Sequence, residues 1–452
     1  MSLKAIILAA GHGTRMKSDK PKVLHEILGK PMVRYAIDAA KDAGASKVVT
    51  VVGFGKEQIE PVAEDTTIAL QEEMLGTGDA VKSAIPSMDL SSGSVLITYG
   101  DCPLITSDTL RSLVELREKN GSALVISVMR KSNPFGYGRI VRDESGKIVK
   151  NIEEKDCSET EKKIEECNAG FYCFDAKILQ DTLSKISNDN AQGEYYLTDA
   201  IEILAGQGST VDSFEIEDKS ELYGVNSRLQ LAEATKIMQN RINRNLMDEG
   251  VGILDPDTTY ISPDAEILAD VEIWPNTYIL GSSRVETGSV VGPNSRIVDT
   301  RIGKDCKIDE TIAYESVIED GATTGPRCYL RPGAHLCKGA KAGTSVEIKK
   351  STVGEGSKVP HLSYIGDTTI ESGVNLGAGT ITCNYDGKNK HKTHIGKDTF
   401  VGSSTMLVAP VEVGDNVVVG AGSVITDDVP DDTLAFGRAK QVNKVGRLKY
   451  KN

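Results

Sequence analysis

Apolar positions along the chain follow two different rhythms, and the change between them divides the molecule. Up to about residue 226, short β-branched runs at 4–10, 47–52, 94–98 and 123–128 alternate with amphipathic stretches of helix length. That alternation predicts an α/β sheet, largely parallel, whose ligands gather at the carboxyl ends of the strands. Between residues 227 and 249, Leu231, Ala234, Met238, Ile242 and Leu246 fall on one face of a single helix, because steps of three and four return to the same side of a 3.6-residue turn. Asn226 or Ser227 can cap its start and Gly250 can end it. The segment reads as a stiff connector.

Beyond residue 250 the period becomes six. Ile261, Ile267, Ile273, Ile279, Val285, Val291 and Ile297 are aliphatic at every sixth position, and the series resumes at Ile395, Val401, Leu407, Val413, Val419 and Ile425. Broken registers lie between, such as Ile302 to Ile308 and Val353 to Val359 to Ile365. One aliphatic per six residues, often followed by glycine as in Ile302-Gly303 and Val401-Gly402, is the mark of a parallel β-helix. Each unit makes a flat face, three make a coil, and the aliphatics stack inside. One coil cannot bury its core, so many must stack, and the flat outer faces often pack against copies of themselves. The expected divisions are 1–226, 227–249 and 250–452. Residues 383–394 interrupt the repeat with Lys388, Lys390, Lys392, His391 and His394, and a basic loop on a rigid prism is a place to look for phosphate binding.

The chain has 452 residues and a net charge of −13. That balance excludes a general binder of nucleic acid or anionic membrane, which needs clustered Lys and Arg, while leaving local basic pockets for small anions. The first apolar run is too short for a membrane span and lacks the flanks of a secretory signal, so a cytoplasmic location is expected. Eight cysteines lie far apart without a CxxC pair. That spacing suggests neither a zinc site nor a disulfide framework, and reduced thiols are expected.

Chemistry is concentrated in a few places. Gly11-His12-Gly13-Thr14-Arg15-Met16 follows the first strand, with Pro21-Lys22 just beyond. Glycines at a strand-to-helix turn let backbone N–H groups close round an anion, and Arg15 and Lys22 add positive charge. A bare turn of this kind is often purely structural, but the added cations favour a triphosphate cradle. Asp101 ends another strand, at the crevice where a hard cation needs oxygen ligands, although a helix-capping role is the alternative. In the repeat region Arg331, Lys349 and His361 are not needed by a core filled with aliphatics. Histidine is the usual base near neutral pH, as acyl transfer to an amine requires.

The signature Leu8-x-x-Gly11-x-Gly13-Thr14-Arg15-Met16…Pro21-Lys22 resembles the sugar-1-phosphate nucleotidyltransferases. Gly76-Thr77-Gly78, Gly136-Tyr137-Gly138-Arg139-Ile140, Asn168-Ala169-Gly170 and Gly224-Val225-Asn226 follow in that family's order. Over essentially the whole chain the resemblance extends to the bacterial bifunctional enzymes that join such a uridyltransferase to a hexapeptide acetyltransferase. It implies an α/β nucleotidyltransferase (Rossmann-like) domain, a connecting helix and a left-handed parallel β-helix of hexapeptide repeats. The hand comes from the resemblance alone, since ordinary crossovers are right-handed.

The resemblance also implies roles. Leu8, Ala9, Ala10, Gly11, Lys22, Gln71, Gly76, Thr77 and Gly100 would hold the nucleotide. Gly138, Glu153, Asn168 and Asn226 would hold the sugar, with the family's glutamate falling on Glu153 or its neighbour Glu154. Asp101 and Asn226 would ligate Mg²⁺, beside Arg15 and Lys22. Arg331, Lys349, Tyr364, Asn375 and Lys390 would hold glucosamine 1-phosphate with His361 as base, and Ala378, Asn384, Tyr385, Ser403, Ala421 and Arg438 would contact acetyl-coenzyme A. His335, His391 and His394 match no role, and Pro360 stands where the family generally has glycine.

The implied function is acetylation of glucosamine 1-phosphate by acetyl-coenzyme A, then transfer of uridylyl from UTP to N-acetylglucosamine 1-phosphate. The implied partners are small molecules and further copies of the chain in a homotrimer, with neither nucleic acid nor membrane. Attack of a sugar phosphate on the α-phosphorus needs in-line placement and charge neutralisation rather than a protein nucleophile, which fits the residues. Two other readings are weighed: a β-helix that only scaffolds, disfavoured by Arg331, Lys349, His361 and Tyr364, and an α/β domain that only binds nucleotide, disfavoured by Arg15, Lys22 and Asp101.

Overall fold

The computed structural model describes residues 2–190 and 192–445. By its own contacts the chain divides into Met1–Met238 and Gln239–Asn452. The division falls inside the helix Arg228–Asp248 and inside the expected connector.

The first unit is built on β1 (Leu3–Leu8), β2 (Ala45–Val52), β3 (Thr67–Leu70), β4 (Ser94–Tyr99), β5 (Leu124–Arg130), β6 (Glu166–Asp175) and β7 (Val211–Glu215), in the sheet order β7-β5-β6-β4-β1-β2-β3. Every residue of β1 is buried, as expected of a strand covered by helices on both faces. The sheet departs from the parallel expectation at β6, which runs antiparallel to both β4 and β5. After β5 the chain turns through the antiparallel hairpin Arg139–Arg142 and Ile148–Ile152 instead of a crossover helix, so the next strand enters from the opposite end. The carboxyl ends of β1 and β4, Leu8 and Tyr99, are register partners. Their following residues therefore share one crevice.

Ser227, not Asn226, caps the connecting helix. Its hydroxyl accepts from the Gln230 N–H at 3.2 Å, and the Gln230 side chain accepts from the Asn226 N–H at 2.8 Å, a reciprocal arrangement of the capping-box kind. Gly250, at φ +94°, follows the helix end. In the part belonging to the second unit, the buried positions are the amides Gln239 and Asn243 rather than only aliphatics. Gln239 Nε2 donates to the carbonyls of Pro256, Asp257 and Thr259 at 3.0, 3.1 and 2.6 Å, and Asn243 Nδ2 to those of Pro256 and Thr259 at 2.9 and 3.0 Å.

The Thr259 carbonyl, which accepts from both amides, is buried, so losing a donor there is costly. Gln239→Ala is expected to destabilise the second unit by about 1–3 kcal/mol. The midpoint of denaturant unfolding, followed by the fluorescence of the single tryptophan, Trp274, should fall. An unchanged midpoint would show that these bonds contribute nothing net.

The second unit is a parallel coil whose described residues form three sheets of 11, 10 and 9 strands. The first face runs from Gly252–Ile253 to Leu434–Ala435, the second from Tyr260–Ile261 to Val424–Ile425, and the third from Glu266–Ile267 to Val411–Val413. Each strand pairs with the one directly above, so Ile261 stands under Ile279 and Ile279 under Ile297. None of the aliphatics in the two six-residue series is more than 6% exposed. Registers break where a corner shortens: Tyr278 lies under Arg296, but Arg284 under Arg301 and Arg296 under Ile312. The basic segment 383–394 lengthens one coil, so that Thr369 lies under His394. No helix among the described residues is long and apolar enough to cross a membrane.

Candidate active sites

At the end of β1 the chain makes a turn that only glycine allows. Gly13 has φ +62°, and a Cβ there would lie 2.5 Å from the Cβ of Lys22. This close approach places Lys22 against the crevice. Its Nζ donates to Asp101 Oδ2 at 2.5 Å and to Asn226 Oδ1 at 2.9 Å. Asp101 arrives there because it follows β4, and Asn226 because the Val225 N–H donates to the Asp101 carbonyl at 2.9 Å. One ammonium thus gathers both predicted metal ligands.

Above them lies a cavity of about 240 Å³ lined by Leu8, Ala9, Ala10, Gly11, Lys22, Gln71, Gly76, Thr77 and Asp101, with Val23, Met74, Ala80, Tyr99 and Glu194 completing the wall. Gly76 is again a required glycine: its φ is +112°, and a Cβ would meet the Tyr195 carbonyl oxygen at 2.7 Å. The Thr77 hydroxyl accepts from the Leu197 N–H at 3.1 Å, so part of its capacity is spent on holding the 194–199 segment. Gly100 is not part of the wall, and a Cβ there would meet Val23, Val33 and Ala9 at 3.3–3.4 Å. Arg15 is exposed in the short turn Thr14–Met16, outside the cavity and without a hydrogen bond among the described residues.

The predicted sugar-side residues form a linked group. Gly138 lies against the Asn151 amide, Asn151 Nδ2 donates to Glu153 Oε1 at 2.8 Å, and Thr198 Oγ1 donates to the same oxygen at 3.3 Å. Asn168 Nδ2 donates to the Tyr172 hydroxyl at 2.8 Å. Of the two glutamates, Glu154 is bound to Arg139 at 2.6 Å and to the Gly136 N–H at 3.1 Å. That leaves Glu153 as the carboxylate turned toward the group. Its charge is felt by Tyr99, whose hydroxyl is pushed well above its usual range first by burial.

Asp199 belongs to the same neighbourhood. Burial, then Glu202, Glu153 and Asp156, push its pKa up to about 6. A carboxyl raised in the folded state opposes folding once it ionises, so the penalty is complete above about pH 6 and vanishes below the unfolded value near 4. Asp199→Asn should therefore raise Tm at pH 8 and leave it unchanged at pH 4. The same change in Tm at both pH values, or no change at pH 8, would contradict this environment.

In the second unit the predicted residues occupy two corners of the coil. Arg331, Lys349 and Lys390 gather at the corner between the second and third faces. Lys390, in first place, then partial burial and Arg331 lower the Lys349 pKa, while Asp367 opposes them. Asp367 accepts from Asn384 Nδ2 at 2.6 Å, and the Tyr364 hydroxyl and the Asn384 amide both crowd Gly366. Arg331 is held by Glu347 at 2.9 Å. The insertion closes on itself through Asp386, which backbone N–H groups and His391 hold down to about pKa 2. Tyr385 is exposed on it.

His361 stands at the other corner, between the first and second faces, over Thr344. It is exposed, and its ring has no hydrogen bond among the described residues. The corner continues upward through the next coils: the Gly379 N–H donates to the Leu362 carbonyl at 3.0 Å, Ser404 to Ala378 at 2.7 Å, and Gly422 to Ser403 at 2.8 Å. Ala378, Ser403 and Ala421 thereby line up above His361. Arg438 lies over the Phe436 ring, 5.5 Å from its centre, and Phe436 covers Gly420. Asn375 sits on the first face, paired with Lys358. That is the only register pair between its strand and the strand of Pro360, and a proline without an N–H accounts for the shortened ladder.

Comparison with known proteins matches both halves. Residues 5–159 fit the MobA-like NTP transferase domain, and residues 392–427 fit the bacterial transferase hexapeptide (six repeats). The bifunctional protein GlmU of Carboxydothermus hydrogenoformans is 49% identical over 448 residues, covering 99% of this chain and 100% of its own length. Those of Caldanaerobacter subterraneus subsp. tengcongensis and Staphylococcus haemolyticus are 48% and 44% identical, over 98% and 99% of this chain and 97% and 100% of theirs. The chain belongs to the bifunctional GlmU family.

As a member of the GlmU family it is a nucleotidyltransferase fused to an acyltransferase, and its coil is the left-handed β-helix of hexapeptide transferases. Several wall residues of the first site were not read from the sequence. Tyr99 and Val23 looked like ordinary strand and turn positions. Glu194 and Tyr195 reach the site through the Tyr195 backbone, which accepts from the Gly78 N–H at 2.8 Å and donates to the Leu75 carbonyl at 2.7 Å; the chain itself carries no signal for such a backbone contact.

Proposed function

We propose that the first unit transfers uridylyl from UTP to N-acetylglucosamine 1-phosphate, and that the second transfers acetyl from acetyl-coenzyme A to glucosamine 1-phosphate. What supports this reading is one phosphate-directed site in each unit: Lys22 with Asp101 and Asn226, and Arg331 with Lys349 and Lys390.

In the uridyl step an oxygen of the sugar phosphate attacks the α-phosphorus of UTP, the bond to the β-phosphate breaks, and pyrophosphate leaves. The wall from Leu8 to Gly11 with Gln71, Gly76 and Thr77 seats the uridine, while Gly138, Glu153 and Asn168 seat the sugar. Lys22 and Arg15 offset the charge on the phosphates. Asp101 and Asn226 present a carboxylate oxygen and an amide oxygen to one point, now spanned by the Lys22 ammonium. This hard-oxygen pair fits Mg²⁺. When bound, the ion would neutralise phosphate charge and align the triphosphate.

In the acetyl step His361 removes a proton from the ammonium of glucosamine 1-phosphate. The freed nitrogen attacks the thioester carbonyl, and coenzyme A leaves as the thiol after taking up a proton. Arg331, Lys349 and Lys390 hold the phosphate, with Tyr364 and Asn375 beside the sugar, while Ala378, Asn384, Tyr385, Ser403, Ala421 and Arg438 receive acetyl-coenzyme A. Within one chain the second face separates His361 from the Lys349 corner. That face also exposes Tyr278, Ile312, Tyr329 and Val424 at 37%, 42%, 37% and 50%, in a column that Arg296 and Glu347 interrupt, and exposed apolar side chains of this kind are commonly buried between copies. A homotrimer packed on it would supply the missing corner from a neighbour. The enzyme would work in the cytoplasm.

The test is a coupled assay of the full chain with acetyl-coenzyme A, glucosamine 1-phosphate, UTP and Mg²⁺, omitting each in turn. UDP-N-acetylglucosamine should form only from the complete mixture, and product formed without acetyl-coenzyme A would overturn the order of steps.

A further inference from the structure

The third face of the coil carries three donor atoms that neither proposed reaction uses. Glu319 ends one strand turn, and the next coil places His335 directly over Val317 and Cys337 two residues beyond. His335 Nε2 lies 2.7 Å from Glu319 Oε1 and 4.0 Å from Cys337 Sγ. The three donor atoms all fall within 4.8 Å of one another. Glu319 is itself fixed, because its other oxygen accepts from the Lys338 N–H at 3.0 Å.

The same face repeats the pattern higher up, which shows what is special here. His394 meets Glu371 at 3.3 Å, with Gly396 in the place that Cys337 takes. A histidine–carboxylate pair is thus a recurrent surface contact of this face. The thiol turns one copy of it into a three-donor set of mixed N, O and S type.

We infer that Glu319, His335 and Cys337 form a site for a borderline-soft divalent cation, Zn²⁺ by chemical class, with water completing the tetrahedron. Zinc takes thiolate sulfur near 2.3 Å and imidazole or carboxylate donors near 2.0–2.2 Å, which sets ligand atoms about 3.3–3.7 Å apart in a tetrahedron. The observed separations of 2.7 and 4.0 Å lie on either side of that span, and all three donor atoms are within 4.8 Å of one another. His335 and Glu319 are 37% and 42% exposed, leaving an outer position for water. Burial, then Glu319, Glu355 and Glu371, hold the Cys337 thiol above its usual range. Sequence spacing did not reveal the site because Glu319 joins the pair only through the stacking of coils.

The probe is Co²⁺ added alone to the full chain after chelator treatment. One thiolate-to-cobalt charge-transfer band with tetrahedral visible bands should appear, Zn²⁺ should abolish it, and Cys337→Ser should lose it. His335→Ala, which keeps the thiol, should weaken binding at least tenfold, with acetyl transfer by the same unit unchanged in both variants as the check on folding. No band in the unaltered chain, or an undiminished band in Cys337→Ser, would overturn the inference.

Discussion

Asp101→Ala is expected to lower uridyl transfer about 10²–10³-fold, the scale of losing a charge placed to stabilise a transition state. Acetylation of glucosamine 1-phosphate should be unaffected. The structural reason is that Asp101 and Asn226 both accept from the Lys22 ammonium, at 2.5 and 2.9 Å, so that the three side chains meet at the end of β4. Alanine would remove the one formal negative charge of that group and leave the ammonium held by Asn226 alone. Asp101→Asn keeps an oxygen and the shape but not the charge, so it should fall between the two. Near-normal uridyl transfer by Asp101→Ala would remove the proposed cation site.

His361→Ala is expected to lower acetyl transfer about 10²–10⁴-fold, the usual contribution of a positioned base, with uridyl transfer intact. His361 is exposed at its corner, so truncating it costs little packing, and the loss should appear in kcat rather than in stability. Added imidazole should restore part of the rate if the ring acts as a base. A variant that acetylates at the normal rate would place the base elsewhere.

The sequence made the coil legible because each unit must send one aliphatic inward, and the chemistry of that position tolerates few substitutes. It made the Gly11–Met16 turn legible because Gly13 has no room for a side chain beside Lys22. Contacts between distant stretches were not legible. Gln239 and Asn243 looked like the polar side of a helix, yet they are buried on the first coil's carbonyls. Glu153 and Glu154 were indistinguishable until Arg139 claimed the second. The spread of Arg331, Lys349 and His361 over two corners follows from face width, which a repeat count alone does not assign to particular residues.

The central claim is that two independent sites act in series through a released intermediate. Asp101→Ala and His361→Ala proteins, each folded and each lacking one step, are mixed with glucosamine 1-phosphate, acetyl-coenzyme A, UTP and Mg²⁺. The mixture should make UDP-N-acetylglucosamine at a rate approaching that of the unaltered enzyme, while each variant alone makes almost none. A mixture as inactive as its components would contradict the account.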